Sequence, residues 1–170
     1  MKINYVKGNA VEPIRNDNEK VVIVHICNNI GAWGSGFVKA VSAKWSKPEQ
    51  VYRSIPKDKL ELGNVEFINV EDNIYVANLI GQDSIRYDNE GKPPIRYGAI
   101  ENGLFKIYQW ASDNNATIHM PRIGCGLAGG KWSEIEKIIQ NVTSVINEIN
   151  TTVYDFEDTS NSNFVKANLD

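Results

Sequence analysis

Cysteine is scarce: the 170 residues hold only Cys27 and Cys125, too few for a disulfide scaffold and without the CxxC or Cys/His spacing of a zinc site. A reduced, cytoplasmic setting is expected, and no metal or other cofactor is implied. Long hydrophobic runs are missing too. The apolar run 21–24 falls far short of the ~18 residues of a membrane span, and the polar N-terminus has no signal-peptide core, so neither membrane association nor targeting is expected. Nor is positive charge in excess. With 18 Lys and Arg against 21 Asp and Glu, the formal net charge is -3, and no basic block stands anywhere in the chain. This argues against a long nucleic-acid backbone as partner. A compact anion is still admissible, because main-chain amides hold one without net positive charge.

What is present suits one globular domain, expected to be monomeric. The length is that of a single domain of ~100–200 residues, large enough to bury a core without staples. Short β-branched runs at 3–6, 21–26, 65–70, 74–80, 117–120 and 152–156 read as strands, the third and fourth joined as a hairpin across 71–73. Apolar residues recur at helical spacing over 133–150, with Ser133 and Glu136 spaced as a capping box. Pro93 and Pro94 precede a second helix, 95–114, whose interior Gly98 and Gly103 demand support from packing. A third helix starts near Phe37, runs past Trp45, is interrupted at Pro48 and resumes to Ile55. Strands interleaved with helices imply an α/β layered domain with a mixed sheet. The residues from Asp158 onward, DTSNSNFVKANLD, are polar and aperiodic, so a domain over 1–157 and a loosely ordered tail over 158–170 are expected.

Two glycine-rich segments carry the chemistry. The first, HICNNIGAWGSG from His25 to Gly36, joins a buried strand to a helix; the second, PRIGCGLAGGKW from Pro121 to Trp132, does the same. Glycines let the backbone approach a ligand closely, and the following helix offers free N–H groups. Loops at the carboxyl ends of parallel strands share one sheet edge, so the two cradles are placed to face each other and to suit a diphosphate. Tight turns alone would need fewer glycines. The second loop fails the Walker pattern, since Gly130-Lys131 is followed by Trp132. Gly124, Gly126 and Gly129 match GxGxxG, with Asp155 or Glu157 beyond, but no room remains for the further βα units of a dinucleotide fold.

The order Tyr5-Val6-Lys7-Gly8-Asn9, HICNNIGAWGSGF, Val76-Ala77-Asn78-Leu79-Ile80-Gly81-Gln82, HMPRIGCGLAGGKW and Thr152-Val153-Tyr154-Asp155-Phe156 resembles the macro domain. Within that family it is similar to the branch of ADP-ribose 1''-phosphate phosphatases and terminal ADP-ribose protein glycohydrolase. The likeness runs from Ile3 to about Phe156 and implies a three-layer α/β/α fold with a mixed, mostly parallel six-stranded sheet. It also implies ADP-ribose as ligand. Gly8, Asn9 and Ala10 would meet the adenine, and Tyr154 would pack beside the nucleoside. Gly31, Gly34, Ser35, Gly36 and Phe37 would line one side of the diphosphate, with Arg122, Gly124, Cys125, Gly126, Leu127, Ala128 and Gly129 on the other. Asn9 stands where the family carries an acidic residue, which weakens charge assistance to the adenine amino group.

The resemblance further implies hydrolysis at the distal ribose, where bond cleavage builds positive charge and a held water assists. Asn28 and Asn29 correspond to the segment that positions this ribose and its water, although Asn is also common in turns before glycine. His25 matches a histidine of the phosphatase members, and Asp83 is the carboxylate candidate for water-orienting work; a buried strand histidine and a solvated loop carboxylate are their ordinary alternatives. Gln82-Asp83 and Ala128 depart from the lysine and aspartate of the glycohydrolase, so its covalent lysine route is not expected. Two rivals accompany this reading. One is a module that binds ADP-ribose without turnover. The other is a thiol enzyme built on Cys125 with His25 or His119.

Overall fold

The computed structural model describes residues 2–156. The expected boundary at 157 and the tail over 158–170 lie outside the described residues.

A single sheet of six strands runs β1-β6-β5-β2-β4-β3. Its strands are β1 (Asn4–Lys7), β2 (Val21–Asn28), β3 (Val65–Glu71), β4 (Ile74–Gln82), β5 (Thr117–Pro121) and β6 (Thr151–Asp155). Neighbours pair in parallel except β3, which turns back antiparallel on β4 through the expected hairpin. The sheet is therefore mixed and mostly parallel. Every residue of β2 is buried, as its unbroken β-branched run requires of a central parallel strand.

Alternation along β2 builds two cores. Val22, Val24 and Ile26 point to one face, where α3 (Tyr97–Asn114) contributes Ile100 and Leu104 and α4 (Trp132–Val145) contributes Ile135 and Ile139. Val21, Ile23 and Cys27 point to the other, under α1 (Val38–Lys44) and α2 (Lys47–Ser54) with Val41 and Tyr52. The three layers follow from that period of two.

Three local expectations are corrected. The helix after Phe37 breaks at Trp45, which is extended (φ -139°, ψ 129°), and Pro48 stands in the first turn of α2, where its missing N–H costs nothing. Ser133 and Glu136 form no capping box: Lys131 is the N-cap, and Glu136 accepts the Tyr5 hydroxyl at 2.6 Å instead. This helix ends at Val145, before the expected 150, because Ile146 leaves helical geometry (φ -81°, ψ -95°).

Gly103 explains itself through packing. A Cβ there would stand 2.4 Å from Leu79 Cγ, so only glycine lets α3 lie this close to β4. Beyond the carboxyl ends of β2, β4 and β5 three loops meet. Ile95 N donates to Ala128 O at 3.1 Å, Arg96 N to Gly81 O at 2.9 Å, and Asn29 N to Gln82 O at 3.2 Å.

Candidate functional site

Two cavities open along this edge and share Gly36. The smaller, about 250 Å³, is lined by Gly8, Asn9, Ala10, Gly36, Phe37, Lys39, Ala40, Pro121, Tyr154 and Phe156. Its walls are mainly apolar and aromatic. Tyr154 is fixed there by its hydroxyl, which accepts from Ile14 N at 2.9 Å and lies 2.8 Å from His119 Nδ1. Burial pushes the His119 pKa down to about 4, so the ring is neutral near pH 7. Its Nε2 lies 2.8 Å from Thr117 Oγ1, so both ring nitrogens are engaged. Asn9 Oδ1 accepts from Val11 N at 3.1 Å, which holds the side chain in an Asx turn and leaves a second lone pair.

The larger cavity is a crevice of about 600 Å³. Gly34, Ser35 and Gly36 come from one loop, Gly124, Leu127 and Ala128 from the other, and Asn28, Trp33, Arg53, Gln82, Ile85 and Tyr87 also line it. Within the described residues the amides of Gly34, Ser35, Leu127 and Ala128 donate to no protein acceptor. Such opposed rows of unpaired N–H groups hold an anion between them. Each wall is rigid. The second is closed by Gly130 N donating to Gly124 O at 2.7 Å, a contact so tight that a Cβ on Gly130 would sit 2.4 Å from that oxygen. The first is organised by Asn28, whose Oδ1 accepts from Ile30 N at 3.1 Å and Ala32 N at 3.0 Å while its Nδ2 donates to Ala32 O at 2.7 Å. Tyr52, buried in α2, donates to the same residue, its hydroxyl 2.6 Å from Asn28 O and 2.8 Å from Oδ1.

Comparison with known proteins identifies the fold and its family. No family model matches the chain. A solved protein of unknown function from Bacteroides thetaiotaomicron is 49% identical, with a TM-score of 0.86, over 91% of this chain and 98% of that one. A macrodomain protein from Streptomyces coelicolor is 39% identical, with a TM-score of 0.77, over 91% of this chain and 99% of that one. The chain belongs to the macro domain family. Among curated relatives of this macro domain, the chromodomain-helicase-DNA-binding protein 1-like of Danio rerio is 34% identical over 147 residues. That match takes in 81% of the macro domain chain but spans 14% of the relative's length. The ADP-ribose 1''-phosphate phosphatase of Candida albicans is 25% identical over 146 residues, 81% of this chain and 92% of that protein.

The macro domain brings together most of the residues expected at its site and turns two away, His25 and Arg122. Gly8, Asn9, Ala10, Gly36, Phe37 and Tyr154 meet at the first cavity; Asn28, Gly34, Ser35, Gly124, Leu127 and Ala128 meet at the crevice. Gly31, Cys125, Gly126 and Gly129 shape the same turns without lining either cavity. His25 is corrected: it points into the α1/α2 layer, fully buried, with Nε2 2.6 Å from Asn78 Oδ1 and its ring edge-on to Trp33. Asn78 Nδ2 donates to Pro48 O, so its oxygen faces the histidine and Nε2 carries the proton. Burial lowers the His25 pKa to about 4. Asn28 lines the crevice, with its side-chain amide engaged by its own loop and by Tyr52. Arg122 is the second correction: its guanidinium forks onto Asp155 at 2.6 and 3.1 Å and lies over the rings of Tyr5 and Trp132, on the α4 side.

Asn29 and Asp83 do meet. Asn29 Nδ2 donates to Asp83 Oδ1 at 3.1 Å, and Ser84 N donates to Asn29 Oδ1 at 2.8 Å. Arg96 Nη2 stands 3.5 Å from the other Asp83 oxygen. Of the histidines proposed as partners of Cys125, His25 pairs through Nε2 with Asn78, and both ring nitrogens of His119 are taken by Tyr154 and Thr117. Arg53, Trp33, Gln82 and Tyr87 were not foreseen. Nothing in the pattern of α2 marks Arg53 as different from its other exposed polar residues; its place depends on how the helix packs.

Proposed function

We propose that this macro domain binds ADP-ribose and hydrolyses an ADP-ribose derivative at the distal ribose, with the 1''-phosphate as the first substrate to test. One observation carries the reading: two opposed rows of unpaired amides across a crevice that joins, at Gly36, an aromatic-lined cavity of a different character. A diphosphate suits the first and a nucleoside the second. The name of the Candida albicans relative adds support for the reaction class.

In this reading the adenine enters beside Asn9, Phe37 and Tyr154, and the diphosphate lies between the 34–36 and 124–128 turns. The distal ribose then reaches the end of the crevice formed by Asn28 and Gln82. Hydrolysis adds water across the bond between the distal ribose and its substituent, giving ADP-ribose and inorganic phosphate from the 1''-phosphate. Asn29, whose amide is held by Asp83 and by Ser84 N, is the residue we propose to orient that water. Asn28 acts as a positioning residue. His25, neutral and enclosed, holds the strand end rather than exchanging a proton.

A reader module that binds without turnover is the second reading. It is favoured by the inward turn of His25 and by the engagement of the Asn28 amide within its own loop, which leave Asn29 and Asp83 of the four expected catalytic groups. Phosphate release from ADP-ribose 1''-phosphate and ADP-ribose release from an esterified acidic side chain separate the two. The account expects release from at least one substrate and a loss of about a hundredfold in turnover for Asn29→Ala, with ADP-ribose affinity changed far less. Saturable binding with no release from either substrate would establish the reader.

A further inference from the structure

Among the described residues lining the crevice, Arg53 alone carries a formal charge. Its side chain is half exposed, and an ordinary surface arginine would be mobile. This one is not. Trp33 Nε1 donates to Ser42 Oγ at 2.7 Å, and Ser42 Oγ donates to Glu49 Oε1 at 2.9 Å. Arg53 Nε donates to Glu49 Oε2 at 2.8 Å, and Arg53 Nη2 donates to Trp33 O at 3.1 Å. The four bonds close a circuit that starts and ends on Trp33, in the loop that forms one wall of the crevice. The guanidinium and the Ser42 hydroxyl hold the Glu49 carboxyl below its usual range, so the ring keeps its charge across neutral pH. An arginine has five N–H groups, and the circuit uses only two of them. The rest are left on a charge held at the crevice wall.

Its position along the crevice says what it is for. Gly36 is the point shared with the nucleoside cavity. From there the wall runs back through Ser35 and Gly34, whose amides suit the diphosphate, to Trp33 and Ala32, and Arg53 is tied to the Trp33 carbonyl. Counted along the chain from Gly36, its anchor Trp33 comes after the amides of Ser35 and Gly34. A guanidinium matches a phosphate monoester in shape and charge, whereas the hydroxyl of free ADP-ribose gives it little to bind.

We propose that Arg53 is a specificity-determining residue that recognises a phosphate monoester on the distal ribose and so separates ADP-ribose 1''-phosphate from ADP-ribose. The proposal rests on the ADP-ribose reading for the direction in which the ligand lies. The step it serves is binding; the guanidinium neither gives nor takes a proton.

Dissociation constants for ADP-ribose and for ADP-ribose 1''-phosphate are measured on the wild type, Arg53→Gln and Arg53→Lys, with KM replacing the constant where the phosphate is turned over. Wild type is expected to prefer the phosphorylated ligand. Arg53→Gln should lose about tenfold to a hundredfold for it and less than about threefold for ADP-ribose, with Arg53→Lys between. Raising the salt should shrink the preference in wild type and leave Arg53→Gln unmoved. An equal loss for both ligands would mean that Arg53 serves the diphosphate or the fold, and an unchanged preference in Arg53→Gln would remove it from recognition; either overturns the proposal. A wild type that binds neither ligand would instead overturn the ADP-ribose reading itself.

Discussion

His25 and His119 sit on the same face of the sheet, both buried, both neutral, and each hydrogen-bonded on the side where a partner exists. His25 Nδ1 has no partner at all. Burial takes both pKa values from the ordinary 6.5 to about 4. The unfolded chain takes up these protons as the pH falls through about 6.5, whereas the folded protein resists until about 4. Stability is therefore full above 6.5, declines as the pH drops toward 4, and levels off below it. Each histidine contributes at most roughly 3 kcal/mol to that decline. Urea midpoints should fall clearly between pH 7.5 and pH 5. A midpoint that stays flat across this window would mean that the rings are not held neutral. Residue identity alone left His25 open between a reacting group and a buried strand histidine. Only the tertiary partner Asn78, fifty-three positions away, decides it.

At the level of elements, α3 shows how a helix with poor local propensity is kept. Gly103 fits against Leu79, while Gly98, in the first turn, faces open space. Gly103→Ala gains about 1 kcal/mol in helix propensity but drives a Cβ into a fully buried leucine, which costs about 1–3 kcal/mol, so the net change is destabilising. Gly98→Ala meets nothing and should stabilise by up to about 1 kcal/mol. Thermal midpoints of the two variants should move in opposite directions; a rise for both would show that α3 shifts to make room. The regular elements were legible because the apolar runs of β2 and β4 and the periodic stripe of α4 are local signals. Their ends were not. Glu136 is drawn to Tyr5 across the molecule instead of capping its own helix, and the break at Trp45 depends on the indole packing into the core with Nε1 donating to Glu71.

For the whole molecule, the decisive fact is that loops about ninety residues apart in sequence form opposite walls of one crevice. Their glycine content and their place after parallel strands made this readable, since such loops share a sheet edge. Arg53 and Gln82 were not readable in the same way. No glycine pattern marks them, and each reaches the crevice only because its element packs in one particular orientation. The same geometry supplies a clean probe. A Cβ at Gly34 would meet no protein atom within 4 Å, so Gly34→Glu can start its side chain without a clash while setting a carboxylate against the proposed diphosphate. Isothermal titration with ADP-ribose, on wild type and on Gly34→Glu, puts this to the test. Saturable one-to-one binding that exceeds that of ATP or NAD, and that disappears in a folded Gly34→Glu, is the predicted result. Undiminished binding in the variant, or none in the wild type, would contradict an anion held between the two turns.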